Sequence, residues 1–246
     1  MIAPTTLLTP WYRRLAAPGA QTSVDTPGST APTPILDHDT ATIGALLELA
    51  RATVASDDAL GILEVAYTVI RDEVGPRYAM EELTPASRTL ARGFGSCSQR
   101  LAVLESAARG LGMPTRTRAL LIDRAFWYPR FPRLRALLPP EIVLVWPEFA
   151  VAGEWRPAAE LFGPIGCRSG GRFRNSGAET LFEAVGRCAV SWDGRGAADD
   201  PYDLSHFVRT DLGRFTDRDE VFERFGQTFC APGRAVIDPV MRRIAA

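Results

Sequence analysis

Apolar residues recur at helical spacing in four stretches of the first half of the chain. In TATIGALLELARATV, residues 40–54, Ile43, Leu46, Leu47 and Ala50 share one helical face. ALGILEVAYTVIRDEVG turns Leu63, Ala66, Tyr67 and Ile70 inward, with Ser56, Asp57 or Asp58 as its cap and Gly75-Pro76 as its stop. A third, short helix is predicted over PASRTLAR, residues 85–92. From Cys97 the positions Leu101, Leu104, Ala108 and Leu111 repeat the pattern as far as Gly110 and Gly112, and Pro114 blocks continuation.

The period then changes. TRTRALLID, residues 115–123, reads as a strand, and FWYPRFPRLRALLPP as an aromatic loop broken by proline. EIVLVWPEFAVAGEW predicts a hairpin turning at Ala152-Gly153. Strands that follow a buried helix indicate an α+β fold. Past Gly163 the signals weaken: GCRSGGRFRNSG is loop-like, ETLFEAVGRCAVSW suits a helix or a strand, and Asp217 to Phe225 predicts a charged helix. The first 34 residues, with Pro4, Pro10, Pro18, Pro27, Pro32 and Pro34 among Thr, Ser and Ala, sustain neither helix nor strand. The organisation expected is an extended arm over 1–34, a core over 35–165, and a C-terminal extension over 166–246 packed on that core.

Composition narrows the chemistry. A chain of 246 residues buries a core without disulfides or metals, and a formal net charge of -1 carries no signature of nucleic acid or acidic lipid. All 28 basic residues are arginine, which excludes Schiff-base chemistry, a P-loop lysine and a lysine base. Cys97, Cys167, Cys188 and Cys230 are scattered, without the paired spacing of a zinc ribbon or a thioredoxin-like site. No cofactor or metal is expected. Neither a signal peptide nor a membrane span is readable, so the expected location is a reducing cytoplasm.

Cys97 is the residue with chemical promise. In GFGSCSQR it falls in the first turn of a helix, where unpaired backbone N–H groups and the positive end of the helix dipole stabilise a thiolate or an oxyanion. Gly93 and Gly95 permit the tight approach that such a turn needs. The other three cysteines have no activating context and read as packing residues.

The runs RDEVGPRY, LTPASRTLARGFGSCSQRLAVLESAARGLGMPTR and EIVLVWPEFAVAGEWRPAAELF together resemble the core of the transglutaminase-like cysteine enzymes, a papain-like fold. The resemblance covers roughly residues 57–163. It implies helices packed on an antiparallel sheet, with Cys97 as nucleophile, Gly112-Met113-Pro114 closing its helix, and Gly153 and Trp155 in the hairpin. Trp146 takes the aromatic place of the histidine motif, and Leu144 stands where the histidine belongs. The third member of the triad would fall near Ala159 or Glu160.

Leucine neither accepts the thiol proton nor protonates a leaving group. Three replacements are open: the helix N-terminus alone; a carboxylate such as Asp123, Glu148 or Glu160; or His206 of DPYDLSHFVR. His38 is the weaker of the two histidines as a candidate. Trp127 and Tyr128, with Phe131, are candidates for an apolar wall beside Leu144 and Trp146.

The resemblance implies cysteine-dependent acyl transfer or cyclisation through a Cys97 thioester in bacterial specialised metabolism, Dieckmann-type ring closure being one form. The substrate expected is a small molecule or an acyl group on a carrier protein, with no nucleic acid, no membrane and no particular oligomer implied. Two alternatives stand beside it: an inactive transglutaminase-like binding or scaffold protein, and a cyclase that uses the cleft without the thiol.

Overall fold

The computed structural model describes residues 26–54, 58–162, 172–177, 179–188, 190–194 and 202–241. Its architecture is mixed α+β: eight helices around a four-stranded antiparallel sheet among these residues. Helices α1 (Ala41–Thr53) and α2 (Ala59–Glu73) bury the predicted faces, and Asp58 caps α2 by accepting from the N–H groups of Leu60 and Gly61. Ser56 and Asp57 lie outside the described residues. After the two-residue strand β1 (Gly75–Pro76), α3 (Ala86–Arg92) ends on Gly93 at φ 69°, and β2 (Phe94–Gly95) pairs with β1 in parallel.

Helix α4 (Cys97–Gly110) forms the centre, packing on α1, α2, α3 and the later helix Leu181–Arg187 as well as on the sheet. Every residue from Ser98 to Arg109 is buried, although the segment carries Arg100, Glu105 and Arg109. Charges so placed are tolerated only with partners. Arg100 pairs with Glu183, Glu105 with Arg218, and Arg109 donates to Thr115 Oγ1 and to the carbonyls of Ala31 and Thr216.

Strand β3 (Thr115–Asp123) matches the predicted segment, and β4 (Glu141–Val151) and β5 (Glu154–Pro157) form the hairpin. Its turn places Ala152 at φ 53° and Gly153 at φ 82°, the doubly positive geometry of a tight hairpin loop. Helices α5 (Ala158–Phe162) and α6 (Leu181–Arg187) follow, so ETLFEAVGRCAVSW resolves as a helix begun by a Thr180/Glu183 capping box. The sheet order is β5-β4-β3 followed by the later strand Val208–Phe215.

The outer strand β6 (Val208–Phe215) went unpredicted, as did α8 (Ala231–Met241); α7 (Arg218–Phe225) was predicted and is capped by Asp217. The C-terminal region therefore supplies an edge of the main sheet as well as packing on the core. The arm is tied in at its end: Ser29 and Thr115 exchange backbone hydrogen bonds of 2.9 and 3.1 Å, and Ile35 and Leu36 are fully buried.

Alternation along β3 and β4 divides the core. Ala119, Leu121, Val143 and Val145 pack with Ile35, Leu36, Ala102 of α4 and the apolar face of α7. Leu120, Ile122, Leu144 and Trp146 join the larger cluster that includes α1, α2, α5 and Trp192. Among the described residues no helix is long and apolar enough to cross a membrane.

Candidate active site

Cys97 is the first residue of α4. Ser96 Oγ accepts from the Gln99 N–H at 3.2 Å, and Gln99 Oε1 accepts from the Ser96 N–H at 3.1 Å, which closes a capping box around the cysteine. Arg92 holds Gln99 Oε1 from outside at 2.5 Å. Gly95 must be glycine here, because a Cβ would stand 2.7 Å from Thr89 Cγ2 and 3.3 Å from Gln99. Thus the GFGSCSQR turn is built as its sequence implied.

The electrostatics differ from the expectation. Part of the Cys97 surface is open, yet the thiol is pushed up to about 12. Burial is the largest cause, followed by the negative charges of Glu82 and Glu183, while the Ser98 N–H and Arg100 pull the other way. The helix start alone does not yield a thiolate. Cys97 is a neutral thiol at rest.

Its carboxylate neighbours come from two elements. Glu82 belongs to the loop between β1 and α3, and its Oε2 accepts from Ser98 Oγ at 2.6 Å. Burial raises the Glu82 carboxyl, with Glu81 adding to this, against the hydrogen bond from Ser98 and the charges of Arg218 and Arg234. The loop is pinned by the C-terminal region: Gln227 Oε1 accepts from the Glu82 N–H at 2.7 Å, Asp238 Oδ1 from the Met80 N–H at 2.6 Å, and Arg234 pairs with Glu81 at 2.9 Å. Glu183, in the first turn of α6, is bound by Arg100 and Thr180. Burial opposes its charge, but these partners hold its carboxyl below the usual range.

None of the side chains predicted to replace the histidine is among the groups that act on the thiol. Asp123 accepts from the Ala125 N–H at 2.6 Å and pairs with Arg209, beginning the 3-10 turn at Arg124–Trp127. Glu148 is buried between Arg116 and Arg214, at 2.5 and 3.0 Å. His206 is exposed, with its ring 4.0 Å from that of Phe207. Of the positions near the implied triad aspartate, Ala159 is buried and Glu160 exposed. His38 Nε2 lies 2.8 Å from the Thr30 carbonyl oxygen and ties the arm to the start of α1.

The predicted apolar wall is mostly core. Leu144 is 6% exposed opposite Leu120, and Trp146 is buried edge-on against Trp192, with ring centroids 5.8 Å apart. Trp127 is half-buried against Phe126, and Tyr128 lies beneath the Arg135 guanidinium at 5.1 Å. Cys188 is buried with its thiol donating to the Ala184 carbonyl, Cys230 is partly covered, and Cys167 lies outside the described residues. Among the described residues no group of three His, Cys, Asp or Glu is placed to hold a metal ion.

Glu82, Arg100 and Glu183 are the functional candidates that sequence reasoning missed. Arg100 was visible one turn along from Cys97 in CSQR; Glu82, in the aperiodic RYAMEELTP, gave no signal. No family model, curated protein or solved structure matches the chain.

Proposed function

We propose that the protein is an acyl-transfer or cyclisation enzyme in which Cys97 forms a thioester and Glu82 replaces the histidine as its proton carrier. The observation behind this is the Glu82 carboxyl, partly desolvated and fixed by Ser98, whose charge bears directly on a thiol at the start of a capped helix. The motif resemblance to the transglutaminase-like core supports the same reading. In the forward step the Cys97 sulfur attacks the carbonyl carbon of an acyl donor while its proton passes to the Glu82 carboxylate, and the leaving group departs with that proton. An acceptor N–H, O–H or acidic C–H then gives its proton to Glu82 as it displaces the sulfur, and Cys97 recovers the proton. The N–H groups at the helix start, of which Ser96 already takes that of Gln99, are the donors proposed for the developing oxyanion. A small molecule or a carrier-bound acyl group is the substrate class proposed.

A specific observation favours a second reading. A thiol raised to about 12 with no histidine beside it suits a binding or scaffold module that has given up the chemistry. Turnover of acyl thioesters by the wild type and by Cys97→Ala separates the cases. Loss in the variant supports the thioester route, equal turnover requires a cyclase that does not use the thiol, and absence from both supports the binding module.

A further inference from the structure

A chain of buried polar contacts runs from the middle of α4 to the Glu82 carboxyl. Glu105 and Arg218 are both fully buried, and Arg218 Nε donates to Glu105 Oε1 at 2.6 Å. The other buried N–H groups of Arg218 need acceptors of their own. Nη1 finds them at the start of the helix, donating to the Ser98 carbonyl at 3.0 Å and to Ser98 Oγ at 3.1 Å. The Ser98 hydroxyl thus accepts from Arg218, which has no lone pair to receive its proton, and donates that proton to Glu82 Oε2 at 2.6 Å.

We infer that Ser98, its hydroxyl oriented by Arg218, is a positioning residue that holds the Glu82 carboxyl at the start of the Cys97 helix. The first residue of α7 thereby completes a site whose cysteine lies 121 positions earlier, and the C-terminal region is part of that site. The inference rests on the role proposed for Glu82. The other charged groups acting on Glu82 are Glu81 and Arg234, and those acting on Cys97 are Glu82, Glu183 and Arg100.

Because Glu82 and Cys97 are coupled, ionisation of Glu82 leaves a mark on the thiol's reactivity. The logarithm of the Cys97 modification rate rises with pH along two parallel lines, offset by a flat stretch where Glu82 takes up its charge. The experiment is modification by dithiodipyridine across the pH range, followed at Cys97 by mass spectrometry, in the wild type, Glu82→Gln, Ser98→Ala and Ser98→Thr. Arg218→Ala leaves Glu105 buried without its cation and is avoided for that reason.

Glu82→Gln is expected to remove the flat stretch. Ser98→Ala, which deprives the ionised carboxylate of its donor, is expected to move that stretch to higher pH, and Ser98→Thr to return it toward the wild-type position. A loosened helix start would change the rate at every pH without moving the break. A flat stretch that persists in Glu82→Gln refutes the coupling on which the proposed function depends. One that vanishes in Glu82→Gln but stays in place in Ser98→Ala overturns the positioning role alone.

Discussion

Leu144 stands directly opposite Leu120 in the β3–β4 pairing, so the position where a histidine was implied is an aliphatic pair inside the core. A polar ring there has no described hydrogen-bonding side chain opposite it across the pairing. Leu144→His is therefore expected to destabilise the fold by about 1–3 kcal/mol, the cost of burying an unpaired polar group, without creating acyl-transfer activity. Urea unfolding and thioester turnover of the variant check the two halves of this prediction.

The raised thiol gives a reactivity with a definite sign. With Cys97 pushed up to about 12, its thiolate fraction beyond the flat stretch set by Glu82 rises tenfold for each pH unit and reaches its plateau at the alkaline end. Iodoacetamide labelling of Cys97 at pH 7 should be on the order of a thousandfold slower than that of an unfolded-chain thiol with a pKa of about 8.5. Labelling at or above the unfolded rate would show that the helix start dominates after all.

Glu82→Gln separates reactivity from catalysis. Removing a negative charge beside the thiol lowers its pKa, so direct alkylation at neutral pH should quicken about three- to tenfold. Acyl transfer should fall by about 10²–10⁴, the usual contribution of a positioned proton carrier. A residue that merely shapes the loop has no reason to move the two rates in opposite directions.

Much of the fold was legible because it rests on local periodicity. The inward faces of α1, α2 and α4, the strand β3 and the Ala152-Gly153 turn each follow from spacing within a dozen residues. β6 was hidden for a physical reason: its pairing with β3 shifts register twice, and Gly213 at φ 98° interrupts the alternation of VRTDLGRF. The nucleophile position was legible in the same local way. Glu82 was not, because its placement depends on Ser98 on the next helix but one and on Arg218, Gln227 and Asp238 of the C-terminal region, and no linear pattern records such contacts.

The hairpin turn offers a test of stability away from the site. Ala152 holds φ 53°, where a Cβ crowds the following carbonyl, and the residue is exposed. Ala152→Gly relieves this strain and should stabilise the protein by about 1 kcal/mol with activity unchanged, a gain readable from the thermal midpoint.

Glu148 supplies a larger effect of opposite sign. Replacing it with alanine leaves Arg116, itself nearly buried beside Trp155, without its carboxylate and should cost about 3–5 kcal/mol. Glu148→Ala should leave the pH profile of Cys97 labelling unmoved in the folded fraction, since Glu148 does not act on the thiol.

The central claim is that Cys97 carries an acyl group with Glu82 taking its proton. The direct measurement is intact-protein mass spectrometry after incubation with an acyl N-acetylcysteamine thioester, with the site of any adduct mapped by peptide fragmentation. The account predicts one acyl adduct on Cys97, lost in Cys97→Ala and formed far more slowly in Glu82→Gln. No adduct, or one that forms equally fast in Glu82→Gln, would contradict it.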